Sequence, residues 1–237
     1  MTVETRTHRT GPWTARIAVQ LAVLAAATFI YATAEILPVG ALPAIASDLD
    51  ISAALVGTLL AWYAVVAAVT TIPMVRWTAH WPRRRVLLLT LACLTVSQLI
   101  SAVAPNFAVL AAGRALCAVT HGLMWSVIAP IATRLVPASH SGRATTTIYV
   151  GTSLALVVGI PLTSAMSLLW GWRWAVVVIT VAAAAITLAA RAVLPELVLS
   201  ADQLALVGHH HYRNRRLIAV SMLMLIAVIG HFISYTF

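Results

Sequence analysis

Apolar residues run through this chain in stretches of about twenty, and the polar residues collect in short segments between them. A run of that length spans the hydrocarbon of a bilayer as one α-helix. The pattern predicts helices near Ile17 to Pro38, Ile51 to Val75, Val86 to Ala104, Phe107 to Ala132, Ala144 to Leu168, Trp174 to Leu194 and Leu217 to Phe237. The first is expected to run on past Pro38 to about Ala46, kinked at that proline. Domain organisation follows: residues 1–195 form a six-helix bundle, 196–216 a polar linker, and 217–237 a seventh helix that opens a second bundle. The seventh run meets Phe237 with no flanking charge, so that second bundle is expected to be missing, whether through fragmentation, frameshift or separate coding.

Composition agrees with a lipid solvent. Hydrophobic residues make up 62% of the 237 positions and charged residues 9%, too few to cover a water-soluble globule. All fifteen basic residues are arginine. Thirteen of them fall in alternate loops, against Arg173 alone on the other side and Arg114 within a span. Basic loops stay in the cytoplasm, so the chain is expected in the inner (plasma) membrane with a cytoplasmic N-terminus. Because these arginines sit in short loops, the sequence pI near 11.0 marks orientation, and nucleic acid is excluded as a partner. The first apolar run is too long for a cleaved signal peptide. Cys93 and Cys117 lie inside apolar runs as small hydrophobes, and no metal site is expected: His209, His210 and His211 lack a second ligand cluster and read as a solvated loop.

Chemistry is sought where ionisable groups enter the membrane, because burying them is costly. Glu35 is the sole acid inside a predicted span. Burial favours a carboxylate's neutral form, which lets such a group load and release a proton as its surroundings change. Thr28, Tyr31 and Glu35 share a helical face. The competing reading is that Glu35 is hydrated at the outer interface. In the fourth span Arg114, His121 and Trp125 recur at spacings of seven and four, placing a cation, an imidazole and an indole on one stripe. Arg114 is a candidate counter-charge to Glu35, and His121 a candidate proton relay or substrate hydrogen-bond donor. Snorkelling and an interior hydrogen bond are the structural alternatives for these two. Trp62, Tyr63 and Tyr149 add candidate cavity lining. The fifth span carries Gly151, Gly159 and Pro161, which read as a hinge or packing face.

The segments Thr33 to Gly40, Trp62-Tyr63-Ala64, Pro82 to Arg85, Arg114 with His121 and Trp125-Ser126, Gly151 to Leu162, and Gly171-Trp172-Arg173 stand in an order that resembles the major facilitator superfamily. Within it the sequence is most similar to the drug:proton antiporters and their sugar efflux subfamily. The resemblance implies two six-helix halves built of inverted repeats around a central cavity, with this chain supplying the first half and one helix. It also implies proton-driven export of small molecules, sugars or drug-like compounds, with no cofactor beyond the proton gradient. Glu35, His121 and Arg114 would couple protons. Tyr31, Trp62, Tyr63, His121, Trp125 and Tyr149 would meet substrate, while Pro38, Arg83, Arg84, Arg85, Gly151, Gly159 and Pro161 would serve gating. The loop after the second span departs from the superfamily pattern, with Ala79 where an aspartate is usual and Pro82 where a glycine is usual, so the charge latch of that loop is not expected.

Rival functions are disfavoured by composition. A retinal sensor needs a lysine for its Schiff base, and the chain has none. Ser126 and His121 are not framed by any nucleophile elbow or zinc motif, so no enzyme is expected. An inactive fragment, or a half-transporter awaiting its second half, is the remaining alternative.

Overall fold

A computed structural model of the chain describes residues 13–197, together with 219–220 and 222–223. The chain divides into two compact units, Met1–Val198 and Leu199–Phe237, and the described residues of the second are helical. The expected linker from residue 198 onward, its histidine triplet, and nearly all of the expected seventh helix lie outside the described residues.

The first unit is all helix. Its elements are α1 (Ala15–Gly40), α2 (Leu42–Asp48), α3 (Ala53–Trp77), α4 (Arg83–Ala102), α5 (Phe107–Arg134), α6 (Ser141–Leu154), α7 (Ile160–Trp170) and α8 (Trp172–Val193). A 3₁₀ turn at Ala138–His140 precedes α6, and a π turn at Ala155–Gly159 joins α6 to α7, so that Ala138–Trp170 forms one continuous span. Among the described residues six helices are long and apolar enough to cross a membrane. Their ends fall within about a turn of the expected boundaries, except that the fifth span begins at Ala138, nearly two turns before the expected Ala144. The first span differs in detail: Ala41 breaks the helix after Gly40, and the remainder, through Asp48, is the separate short helix α2.

Local signals set these ends. Thr14, Ser52 and Asn106 accept hydrogen bonds from the backbone N–H of Ile17, Leu55 and Val109, capping α1, α3 and α5. Gly171 turns the chain from α7 into α8 at φ +90°, a conformation glycine adopts without a Cβ penalty. The π turn stands directly before Pro161, where it widens the helix at the point where the ring meets the preceding turn.

α5 packs against α3, α4 and α6, α1 against α6, α7 and α8, and α4 against α8. Leu24, Tyr31, Leu87, Leu91, Leu94, Met124 and Ile128 fill the interior. Val69, Leu99, Val181, Leu168 and Leu188 face outward, as a bilayer permits and water does not. The helices meet at glycines set against hydroxyl side chains. A Cβ on Gly151 or Gly159 of the fifth span would strike Thr28 or Thr33 of α1, one on Gly122 would strike Thr71 of α3, and one on Gly113 would press on Ser101 of α4. Small residues let backbones approach, and the hydroxyls bond main-chain oxygen across the seam: Thr28 donates to Ile148 O at 2.6 Å and Ser97 to Gly113 O at 2.7 Å.

The two ends of the bundle are chemically different. At one, the start of α1 meets the end of α8 through Gln20 Nε2 and Val193 O at 3.0 Å, and Trp13 lies against His140. At the same end Arg84 at the start of α4 donates to Arg191 O and to Glu196. At the opposite end Asp48 of α2 accepts from Trp172 Nε1 at 3.1 Å and pairs with Arg173, whose other terminal nitrogen donates to Ala104 O at 2.8 Å.

The glycine seams set a contrast that thermal unfolding in detergent will measure. Gly151→Ala drives a methyl group into Ala25 O and Thr28 Oγ1 and is expected to cost about 1–3 kcal/mol. Gly57→Ala meets nothing within 4 Å and should be neutral or stabilising by up to about 1 kcal/mol. Equal melting temperatures for the two variants would mean that the α1–α6 seam is not closely packed.

Candidate functional site

Pro38 has no N–H, so the carbonyl of Ala34, one turn earlier in α1, loses its helical donor. Arg114 of α5 takes that position. Its Nη1 donates to Ala34 O at 2.7 Å and its Nη2 to Glu35 O at 2.6 Å, and the residue is 4% exposed. Such burial rules out snorkelling. Both hydrogen bonds of the guanidinium fork go to the backbone of α1, while its charge still acts on the Glu35 carboxylate without a direct hydrogen bond to it.

The nearest basic group to that carboxylate is His121, whose Nδ1 lies 3.6 Å from Glu35 Oε2. His121 stands halfway along the 28 residues of α5, so the carboxylate reaches toward mid-membrane. Both side chains are about a quarter exposed, at 26% and 23%, which leaves them open to water or a ligand from one side. The same Nδ1 lies 3.0 Å from the hydroxyl of Tyr63 in α3. With Nδ1 unprotonated, Tyr63 donates to it. With Nδ1 protonated, its N–H donates to the phenol oxygen and its charge faces the carboxylate 3.6 Å away.

Aromatic groups surround this pair. Tyr31 donates to Cys117 O at 3.4 Å, and the Cys117 thiol donates back to the Tyr31 oxygen at 3.6 Å. The Cys117 sulfur also lies 3.7 Å from the Tyr63 hydroxyl, and Arg114 sits over the Tyr63 ring at 5.0 Å. His121 meets Tyr63 edge-on, its ring centroid 5.4 Å away, and meets Trp125 at 6.2 Å. Trp125 in turn lies parallel to Tyr149 of α6, with an interplanar angle of 3°. One wall thus runs from Glu35 to Tyr149 across α1, α3, α5 and α6.

Seven of the residues singled out in the sequence meet in this wall: Tyr31, Glu35, Tyr63, Arg114, His121, Trp125 and Tyr149. Trp62 is 66% exposed and, together with Tyr63 and Arg114, lines an apolar cavity of about 300 Å³ between α3 and α5. Pro38 belongs to the Arg114 contact, Gly151 and Gly159 to the α1 seam, and Pro161 to the π turn. Arg83, Arg84 and Arg85 lie at the other end of the bundle, at the start of α4. Cys117 had been read only as filler. Its position, three residues after Arg114 and four before His121, puts it on the same stripe and was the available signal.

Residues 24–237 match the model of the Major Facilitator Superfamily. The chain belongs to that superfamily. Over its whole length it is 71% identical to a chloramphenicol efflux pump of Mycobacterium tuberculosis, of which it covers 58%. The chain thus spans little more than half the length of that relative. Among solved structures, a POT family transporter in complex with a thioalcohol-conjugated peptide superposes with a TM-score of 0.64 at 14% identity, covering 92% of this chain and 47% of that one. A human organic anion transporter superposes with a TM-score of 0.60 at 19% identity, covering 81% and 53%. At these identities the structures support the superfamily fold alone.

A double-mutant cycle will test the Arg114 contact of this superfamily member. Arg114→Met strips the donor from two carbonyls and should lower thermal stability. In a Pro38→Ala background residue 38 regains an N–H for Ala34 O, and the same change should cost less by about 1 kcal/mol. Additive losses across the cycle would show that the proline and the arginine act independently.

Proposed function

We propose that this chain is the proton-binding half of an exporter that expels chloramphenicol and similar small amphipathic molecules from the cytoplasm in exchange for protons. The observation that carries this reading is the Glu35–His121–Tyr63 cluster, a carboxylate, an imidazole and a phenol brought together by three helices at half the depth of α5. A proton shared between Glu35 and His121 supplies the charge change that coupling needs. The Trp125–Tyr149 pair offers flat apolar faces to an aromatic substrate. The substrate class follows the relative named as a chloramphenicol efflux pump, and the sugars suggested by subfamily resemblance are the second substrate class to test.

The remaining length of that relative supports a second helical bundle as the partner, closing the cavity from the opposite side. Orientation follows the arginines. Arg16, Arg76, Arg83 to Arg85, Arg134, Arg143 and Arg191 all stand at the span ends that this reading places in the cytoplasm, with the N-terminus beside them. No cofactor is called for. A membrane potential of about 100 mV supplies about 2.3 kcal/mol per proton, enough to hold roughly a 50-fold gradient of a neutral substrate.

The test is chloramphenicol transport into everted vesicles that carry the chain joined to the rest of its relative's length, with pentoses and galactosides as comparison substrates. Chloramphenicol should be taken up when an inward-acid gradient is imposed, and Glu35→Gln should abolish that uptake while membrane insertion is unchanged. Full gradient-driven uptake by Glu35→Gln would remove the carboxylate from the coupling step. Trp125→Ala and His121→Ala should each weaken chloramphenicol binding about threefold to tenfold, read by calorimetry. Unaltered affinity would place the substrate away from this wall.

A further inference from the structure

At the arginine-bearing end of the bundle a cavity of about 470 Å³ opens between the start of α4 and the end of α8, lined by Pro82, Arg84, Arg85, Leu88, Arg191 and Glu196. Three guanidinium groups face one carboxylate there. We propose that this cavity binds the phosphodiester headgroup of an anionic phospholipid, seated against α4 and α8 with its acyl chains running along both helices.

Three observations converge on that ligand. First, the cationic groups are held for use. One terminal nitrogen of Arg84 donates to Arg191 O in the last turn of α8, which fixes the side chain across the cavity, and its Nε is buried with no acceptor among the described residues. Arg85 and Arg191 are exposed at the rim. Guanidinium groups are matched to phosphate oxygens in charge and in fork geometry. Second, the internal anion is weakly engaged. Glu196 meets Arg84 at 3.3 Å but is 79% exposed, and so open a pair holds little energy against a competing phosphate.

Third, the cavity continues into an apolar surface and not into a polar one. Leu88 forms part of its wall. Beyond it, Val96 and Leu99 on α4, Val103 just past its end, and Leu188, Val181, Val178 and Trp174 on α8 are exposed. Those tracks extend about 26 Å from the arginines, longer than the roughly 15 Å of one leaflet's hydrocarbon. A free phosphate or a soluble anion has no use for them. A phospholipid uses both parts, and basic pockets between membrane helices are where such headgroups bind. The cavity shares no residue with the Glu35 cluster, so lipid binding and transport succeed or fail separately.

The experiment measures lipid retention by native mass spectrometry and thermal unfolding of the full chain in neutral detergent, with phosphatidylglycerol, phosphatidylcholine or inorganic phosphate added. Phosphatidylglycerol should remain bound and raise the melting temperature, whereas phosphatidylcholine and inorganic phosphate at the same concentration should not. Arg85→Gln with Arg191→Gln should weaken phosphatidylglycerol binding about 30-fold. Arg143→Gln, an exposed arginine outside the cavity, should leave it unchanged, and Glu196→Gln should tighten it. The Glu196→Gln arm keeps the test decisive even where the double variant folds poorly. Equal retention of phosphatidylcholine, protection by inorganic phosphate alone, or an equal loss in Arg143→Gln would each overturn the site, the last by reducing it to diffuse surface attraction.

Discussion

A helix inside hydrocarbon must keep every backbone carbonyl satisfied, and Pro38 breaks that rule for Ala34. The repair comes from another helix. Arg114 covers the freed carbonyl and the next one, so the deficit in α1 is met by a cation that itself needs acceptors away from water. The two deficits offset one another, with the Arg114 Nε left without an acceptor among the described residues. The contact also sets geometry, because a main chain held at Ala34 and Glu35 fixes where the Glu35 side chain leaves the helix. It leaves toward His121, and the Glu35–His121 contact is a consequence of how the proline is accommodated.

Close approach of the helices is the second requirement, since lipid offers no hydrophobic drive for their association. Glycine meets hydroxyl at the main seams: Gly151 and Gly159 against α1, Gly122 against α3 and Gly113 against α4. The arrangement lets van der Waals contact and cross-helix hydrogen bonds act at the same place. It also brings Tyr149 of α6 alongside Trp125 of α5, which extends the aromatic wall past the Glu35–His121 pair. The π turn before Pro161 loosens the same span, so its two halves can differ in how tightly they hold α1.

The spans were readable because membrane thickness fixes a length that the apolar runs declare. Glu35, His121 and Trp125 were readable because polar groups in hydrocarbon need a reason. What the sequence could not show was pairing. Arg114 and Glu35 were recognised together, but whether the guanidinium meets the carboxylate or the main chain depends on how Pro38 leaves the backbone some eighty residues away. Cys117 was passed over because a thiol in an apolar run carries no sign of the two phenols it touches. The loop arginines announced orientation without disclosing that Arg84 reaches the end of α8.

The exclusive use of arginine for positive charge takes on meaning from these positions. Arg114 spans two successive carbonyls, Arg173 joins Asp48 to Ala104 O, and Arg84 joins Glu196 to Arg191 O. In each case one planar group with separated donors ties together two acceptors, at least one of them main-chain oxygen. A lysine ammonium concentrates its donors on one atom and is more strongly hydrated, so it serves such sites less well. The helix ends and the interior thus share a single device, a fork that closes a backbone carbonyl together with a second acceptor. In the interior it holds α1 where Glu35 meets His121, and at the bundle ends it holds helix termini together.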